Sequence, residues 1–379
     1  MKVPRNLVIS FAVILLAVFV YLIITMKRTF VRYNGRLPYV WNYDLNQTLS
    51  KYLQTYPTRG VLLLTGPYQC GKSRAMNIAA DFMIKNKQFV INVDATTART
   101  PYDVVELFKS AIYNGLTSAY SFVSYSRIRS ASELFPPNSQ LEIEALDPAL
   151  STIYAALAKD LDNSLINPYS IVSFFDTLEL LYGKLNAVIF IHGLETLKSI
   201  APILYQTALS RIGRRLLYND NVPIVCEVRD SSFRLTQPTL PSYVILYEMR
   251  ELRDPTHDWI VSTRAFSSIE MRKVLERFGG HGGTIERVFE DLKVGIGIDE
   301  SVEAQQSAVK THLRKMLTGD VPSVLAKLCY MNGTMRVQEK GDLMPIVNLL
   351  KSGHLYLSDN GTLKVAHKGV REALCGKRV

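Results

Sequence analysis

The sequence predicts an α/β protein with a parallel sheet, preceded by an N-terminal transmembrane helix. Three observations predict this architecture. Short apolar runs alternate with amphipathic helical segments, a glycine-rich loop follows the first of those runs, and one long apolar stretch lies near the N-terminus. Apolar runs separated by helical patterns are typical of strands buried on both faces of a parallel sheet. The chain has 379 residues, which is enough for about two to three domains.

The long apolar stretch covers residues 7–26 and carries no charge. At about 1.5 Å per residue, a helix of this length spans the roughly 30 Å hydrocarbon core of a bilayer. It is longer than the apolar region of a signal peptide and ends in TMKRTF rather than in small residues, so we predict a retained, single-pass transmembrane helix. Four basic residues follow it by position 36 and two precede it. This asymmetry predicts that the body lies on the matrix or cytoplasmic side, and we prefer the mitochondrial inner membrane over a prokaryotic plasma membrane.

The net charge of +10 is concentrated at the two ends of the chain. Residues 1–36 carry six basic and no acidic residues, and residues 304–379 carry twelve basic and five acidic ones. The middle of the chain is slightly acidic, with 26 basic and 29 acidic residues. The basic character therefore does not indicate a nucleic-acid-binding body.

The cysteines Cys70, Cys226, Cys329 and Cys375 are far apart in the sequence. No two of them have the spacing of a metal site or a redox motif. We therefore expect free thiols in a reducing compartment.

The glycine-rich loop, GPYQCGKS, lies between the apolar run VLLLT and a helical pattern. It matches the motif G-x-x-x-x-G-K-[ST] at Gly66, Gly71, Lys72 and Ser73. Glycines let the backbone turn its N–H groups toward phosphate oxygens, and the following helix N-terminus adds partial positive charge. We expect Lys72 to reach the β- and γ-phosphates of ATP or ADP and Ser73 to ligate Mg²⁺. The predicted nucleotide-binding residues are Gly66, Pro67, Tyr68, Gln69, Cys70, Gly71, Lys72, Ser73 and Arg74.

The order of these motifs resembles the STAND branch of P-loop NTPases and the archaeal-type ATPases, which are AAA+-like proteins. Further buried strands are predicted within 88–97, 186–197, 221–232 and 242–249. The resemblance covers roughly residues 45–375 and implies a three-layer P-loop NTPase followed by a helical lid and a winged-helix domain. The implied divisions are a juxtamembrane linker at 27–48, the NTPase core at 49–255, the lid at 256–300 and the winged-helix domain at 301–379.

The second motif of the resemblance is degenerate. In the STAND branch four apolar residues precede Asp-Gly-X-Asp-Glu, and here VIFI precedes His192. His192 therefore replaces the aspartate associated with Mg²⁺, and Glu195 takes the place of the next acidic residue. An imidazole supplies no negative charge, whereas Mg²⁺ prefers hard oxygen ligands. We therefore expect ATP or ADP to bind and hydrolysis to be weak or absent.

Glu195 and Asp94 remain open as alternative acids. Glu195 could polarise a water molecule, so we predict it as a catalytic residue, whereas Asp94 should end a strand farther from the loop. We expect His192 itself to be a neutral residue hydrogen-bonded at a strand end.

The resemblance also implies an arginine that senses the γ-phosphate. Arg229 matches it and is the second predicted catalytic residue, while Glu227 stands where the family has a small polar residue. The turn GGHGG should join two lid helices, with His281 as a solvated turn residue. The segment that would read DNA, DLMPIVNLLKSG, carries only Lys351 as a basic residue, so we do not expect nucleic-acid binding.

The motifs and their departures from the family are compatible with three functions. The preferred one is a membrane-anchored nucleotide-binding protein that serves as a structural or regulatory subunit, with protein partners in a larger complex or in a homo-oligomer. The alternatives are an active STAND-type ATPase switch and a membrane-tethered ATPase that binds nucleic acid. The sequence leaves open whether the chain is an enzyme.

Overall fold

The computed structural model describes most of the chain between residues 37 and 376. The described residues are 37, 43–54, 61–120, 125–135, 146–167, 169–214, 222–230, 233, 244–249, 252, 260–317, 323–337, 343, 346–358 and 361–376. The predicted transmembrane helix at 7–26 lies outside these ranges. Within them, no helix combines the length and the apolar character needed to cross a bilayer.

The N-terminal half alternates strands and helices. Its elements are α1 Tyr43–Gln54, β1 Val61–Thr65, α2 Lys72–Lys85, β2 Val90–Asp94, α3 Pro101–Tyr120, α4 Tyr125–Ser132, α5 Pro148–Ser164, α6 Ser170–Leu185, β3 Val188–His192, α7 Leu194–Ile200, α8 Pro202–Arg214, β4 Ile224–Glu227 and β5 Val244–Glu248. Strands β1 to β5 form one parallel sheet in the order β2-β3-β4-β1-β5. The prediction of an α/β fold with a parallel sheet is therefore confirmed.

The sheet is buried on both faces because successive side chains of β1 point in opposite directions. Val61 and Leu63 pack into the apolar cluster that includes residues of α3 to α8. Leu62 and Leu64 pack into the opposite cluster, which includes residues of α1 and α2. Helices thus cover both faces, and the carboxyl ends of the strands meet at one edge of the sheet, where ligands of open α/β sheets bind.

The C-terminal half contains two groups of elements, which we call the helix pair and the C-terminal unit. The helix pair consists of α9 Ser268–Phe278 and α10 Gly282–Lys293. The C-terminal unit consists of α11 Ile298–Met316, α12 Ser323–Tyr330, β6 Thr334–Arg336, α13 Val347–Lys351, β7 Leu355–Leu357, β8 Thr362–Val365 and α14 Lys368–Cys375.

The C-terminal unit contains the hairpin that the sequence predicts. Strands β7 and β8 pair in antiparallel fashion on the two sides of an Asn-Gly sequence. A third strand, β6, pairs with the other edge of β8 and is not predicted from the sequence. At three residues, β6 is too short for a period-2 pattern to stand out.

The cysteines of the C-terminal unit correct one prediction. Cys329 in α12 and Cys375 at the end of α14 form a disulfide, so the expectation of four free thiols is wrong for this pair. Cys70 and Cys226 are free and buried. The two bonded residues are 46 positions apart, and they meet only because α12 packs against α14. Spacing in the sequence does not reveal such a contact.

Candidate nucleotide-binding site

The phosphate loop, residues 66–73, connects β1 to α2 at the carboxyl edge of the sheet. Gly66 and Gly71 adopt φ angles of +127° and +100°, which side-chain-bearing residues rarely adopt. A Cβ on Gly66 would also lie 2.6 Å from the carbonyl oxygen of Met249. Helix α2 begins at Lys72 and has no side-chain cap at Gly71, so backbone N–H groups of its first turn are available to an anion.

Lys72 is held inside the loop. Its side chain is almost fully buried, and its Nζ donates to the carbonyl oxygens of Gly66 at 3.1 Å and Pro67 at 2.7 Å. An ammonium group has three donors, and the third points to Sγ of Cys70 at 3.6 Å. Since a thiol sulfur is a weak acceptor, a phosphate oxygen could replace that contact. The carbonyls fix the charge at the centre of the loop, as phosphate binding requires.

A cavity of about 650 Å³ opens beside this loop. Its volume is typical of small-molecule sites. The basic residues Lys72, Arg74, Arg229 and Arg287 and the acidic residues Glu286, Glu290 and Asp291 line it, and Leu37, Met249 and Ile260 contribute apolar surface. The structure therefore combines cations suited to phosphates with an apolar wall suited to a base.

All of the predicted loop residues except Gly66 and Pro67 line this cavity, and those two begin the same loop. Arg74 also forms an ion pair with Glu286 of α10 at 3.0 Å. The structure thus brings the loop residues together with the helix pair. Their role in binding a nucleotide stays a prediction.

His192 and Glu227 end the neighbouring strands β3 and β4. The imidazole is buried, with Nδ1 lying 3.1 Å from Oε1 of Glu227 and Nε2 lying 2.9 Å from Oδ1 of Asn92. His192 is therefore hydrogen-bonded at a strand end, as expected from the sequence, and its expected neutral state stays a prediction.

Glu227 is a residue of the site that sequence reasoning missed. Its carboxylate is fully buried, and Oε1 accepts hydrogen bonds from Ser73 Oγ at 2.7 Å and Arg229 Nε at 3.0 Å, besides its contact with His192. Burial raises the pKa of Glu227, but the hydrogen bonds and the nearby positive charge outweigh burial and lower it overall. The signal in the sequence was a charged residue directly after the apolar run IVC.

Arg229 binds this carboxylate and lines the cavity, whereas Glu195 contacts the backbone of Arg229 and does not line it. Arg229 reaches from Glu227 toward Asp94, whose Oδ2 lies 3.6 Å from its guanidinium. Glu195 accepts hydrogen bonds from the backbone N–H groups of Arg229 and Asp230. Burial raises the pKa of Glu195 to about 7. Glu195 thus supports the turn after β4, and its catalytic role stays a prediction.

His281 corrects another expectation. It is buried rather than solvated. Its side chain caps α10 by accepting from the N–H of Thr284, and Nε2 lies 2.8 Å from the carbonyl oxygen of Tyr68 in the phosphate loop. Since a carbonyl only accepts, Nε2 carries the proton and Nδ1 accepts. His281 therefore connects the helix pair to the loop.

Comparison with known proteins supports the fold. No protein-family model matches the chain, and no curated protein matches it. Among solved structures, the Walker-type ATPase PABY2304 of Pyrococcus abyssi superposes with a TM-score of 0.54 at 15% identity, covering 90% of this chain and 98% of that one.

Two further structures match less well. The ORC1 protein of Aeropyrum pernix, solved in complex with DNA, has 14% identity and a TM-score of 0.36, covering 88% of this chain and 91% of that one. Cdc6p from Pyrobaculum aerophilum has 11% identity and a TM-score of 0.36, covering 91% and 95%. Scores this low support no inference. The likeness to the Pyrococcus protein and the parallel sheet together show the fold of a P-loop ATPase, and membership of the STAND branch stays a prediction.

Proposed function

We propose that this chain is a membrane-anchored P-loop protein that binds ATP or ADP and hydrolyses ATP slowly or not at all. The observation that carries the proposal is Lys72, buried at the centre of the phosphate loop with two of its donors fixed by loop carbonyls. The adjoining cavity has the size that a nucleotide requires, and four basic residues line it on the side of the loop and the helix pair together with three acidic ones.

Two features support weak hydrolysis. His192 occupies the strand end from which the family's aspartate acts. Glu195, which the sequence suggests as an alternative base, accepts backbone N–H groups of the turn after β4. Phosphoryl transfer depends on positioning the attacking water and on neutralising charge. A carboxylate occupied by backbone amides is poorly suited to activate that water.

The test is nucleotide binding to the full chain in detergent, measured with a fluorescent ADP analogue and by ATP turnover. Lys72→Ala should lower affinity at least about tenfold, because it removes a charge-assisted contact to phosphate. Lys85→Ala is the matched control, since this lysine is exposed on the same helix. Equal binding by the wild type and Lys72→Ala would contradict the proposal. If the wild type hydrolysed ATP steadily and Lys72→Ala abolished this activity, only the weak-hydrolysis part of the proposal would be contradicted.

One observation favours the active ATPase switch as a second candidate. The helix pair and the C-terminal unit, which the resemblance interprets as lid and winged helix, both contact the phosphate loop, through His281 and Gly353 respectively. Such contacts could transmit nucleotide occupancy to the rest of the molecule. The same turnover assay separates the two candidates.

The membrane anchor and the protein partners are proposed from the sequence. A single-pass helix at 7–26 would hold the body on the matrix or cytoplasmic side, with the mitochondrial inner membrane preferred. Disulfides such as that between Cys329 and Cys375 are uncommon in reducing compartments. Alkylation of free thiols in native membranes would therefore test whether the body of the chain lies in such a compartment. Release of the chain from membranes by alkaline carbonate would contradict the anchor. Co-purification from those membranes would identify a complex or a homo-oligomer.

Nucleic-acid binding is not proposed. The helix that would enter a groove, α13, has five residues, and Lys351 is its only basic residue. Recognition of base edges in the major groove needs several suitable side chains on such a helix.

A further inference from the structure

The site has a carboxylate at a strand end, but on a different strand from the one that the resemblance implies. Ile191 of β3 stands opposite Cys226 of β4 in the sheet, so the next residues, His192 and Glu227, end the two strands side by side. Strand β4 lies between β3 and β1 in the sheet. The strand-end carboxylate therefore lies on β4, which is one strand closer to β1 and the phosphate loop than the strand that the resemblance implies.

Glu227 contacts the loop residue that is expected to hold the metal. Ser73 Oγ donates to its Oε1 at 2.7 Å. Ser73 lines the cavity, and Glu227, which does not line it, lies directly behind Ser73. His192 and Arg229 bind the same oxygen atom. The three contacts fix the orientation of the carboxylate and leave its second oxygen free of them.

That second oxygen, Oε2 of Glu227, is buried and has no hydrogen-bond partner among the described residues. A buried carboxylate oxygen without a partner is costly, and such atoms normally meet a donor or a cation. The donor set also fits Mg²⁺, because the ion prefers hard oxygen atoms. No cluster of three or more acidic, histidine or cysteine side chains suited to a metal occurs in the described part of the chain. Mg²⁺ commonly keeps several waters and takes few protein ligands.

The geometry points to a Mg²⁺ site made by Ser73 and Glu227, in which β4 supplies the carboxylate that β3 lacks. This inference rests on the proposed nucleotide binding and deepens it. Ser73 would ligate the ion through its hydroxyl, and Glu227 would accept from water bound to the ion through Oε2. When bound, the ion would neutralise phosphate charge. Glu195 takes no part, so the chain could hold a metal–nucleotide complex without a general base.

The test measures the affinity of the full chain for ADP in excess Mg²⁺ and in EDTA. In the wild type, Mg²⁺ should tighten binding by about tenfold or more, since partners of bound water typically change metal affinity by that factor. In Glu227→Gln the gain should fall below about twofold. Glu248→Gln is the matched control, because Glu248 ends β5 on the other side of β1 and binds Lys364 instead. The control should keep the full gain.

A second variant distinguishes loss of the metal from loss of structure. The exchange His192→Asp with Glu227→Ser moves the carboxylate back to β3, and it should restore most of the Mg²⁺ gain that Glu227→Ser alone loses. Electron paramagnetic resonance of Mn²⁺ in the presence of ADP gives an independent measurement of metal binding to each protein. An unchanged Mg²⁺ gain in Glu227→Gln, or a folded exchange variant without recovery, would overturn the inference.

The two proposals fail in different ways. Binding of ADP in EDTA reports on the phosphate loop and Lys72, whereas the ratio of affinities with and without Mg²⁺ reports on Glu227. A wild type that binds ADP equally well under both conditions would retain the proposed function and refute the metal site. A wild type that binds under neither condition would refute both.

Discussion

Two glutamates near the phosphate loop show how local contacts decide the behaviour of one residue type. The carboxylate of Glu227 contacts a hydroxyl, a guanidinium and an imidazole group, and these contacts lower its pKa despite burial. Among the described residues, Glu195 accepts from backbone N–H groups, and burial raises its pKa to about 7. The first carboxylate is therefore ionised at neutral pH, while the second is partly protonated.

Glu195 should make folding stability depend on pH. Its pKa is about 4.5 in the unfolded chain and about 7 in the folded one, so the folded state binds more protons between these values. The free energy of unfolding should therefore fall as pH rises from 4.5 to 7. Glu195→Gln removes this titration. The free energy of unfolding of the variant, relative to that of the wild type, should therefore rise by about 1 kcal/mol per pH unit in that window.

Denaturant unfolding of both chains at several pH values measures the effect of Glu195→Gln. Glu276→Gln is the control, because Glu276 is exposed on α9 and should unfold in parallel with the wild type. A Glu195→Gln curve that also runs parallel to the wild type would contradict the prediction. If the wild type hydrolyses ATP and Glu195→Gln retains this turnover, Glu195 stabilises the turn and is not a catalytic residue.

At the scale of elements, helix α10 is joined to the phosphate loop by a histidine that must stay neutral. Burial lowers the pKa of His281 to about 4, and its Nδ1 accepts from the helix while Nε2 donates to Tyr68. The ring of His367 in the C-terminal unit lies with its centroid 4.4 Å from that of His281. A proton on either ring would introduce a buried charge at the junction of helix pair, loop and C-terminal unit.

Acid should therefore weaken this junction. Between pH 6.5 and 4 the unfolded chain binds a proton that folded His281 does not, so the free energy of unfolding falls as pH falls. The contribution is at most about 1.4 kcal/mol per pH unit for one histidine. His281→Asn keeps a helix-capping side chain but removes this titration, and its unfolding free energy should fall less steeply in the same window.

The comparison of His281→Asn with the wild type contains its own control. Above pH 7 His281 is neutral in both the folded and the unfolded chain, so the two unfolding curves should run parallel there. Glu195 contributes a slope of opposite sign, but it is present in both proteins and cancels in the difference. Equal slopes of the two proteins between pH 6.5 and 4 would contradict the prediction.

The elements also show which parts of the molecule could be predicted from the sequence. Strand β1, its loop and α2 were predictable because each glycine and the lysine have a fixed role in the local backbone. The arrangement of β3 and β4 was not, since the register that sets Glu227 beside His192 is a property of the assembled sheet. His281 was misjudged for the same reason, because its burial depends on the loop and the C-terminal unit.

At the scale of the whole molecule, three parts of the chain meet at the outer side of the phosphate loop. The N–H of Gly283 in α10 donates to the carbonyl oxygen of Gln69 at 3.0 Å. Gly353, two residues after the end of α13, lies so close to Tyr68 that an added Cβ would approach the tyrosine Cβ to 2.0 Å. A nucleotide that orders the loop should therefore also order the helix pair and the C-terminal unit.

Hydrogen exchange with and without ADP tests this coupling, because bound ligand should slow amide exchange in the loop and in segments 281–285 and 349–354. Gly353→Ala should abolish the slowing at 349–354, since its methyl group pushes the C-terminal unit off Tyr68, while slowing in the loop persists. Gly361→Ala is the matched control, because Gly361 has a φ of +75° against +74° at Gly353 and nothing lies within 4 Å of a Cβ there. If 349–354 remained as protected by ADP in Gly353→Ala as in the wild type, nucleotide occupancy would not reach the C-terminal unit through this contact.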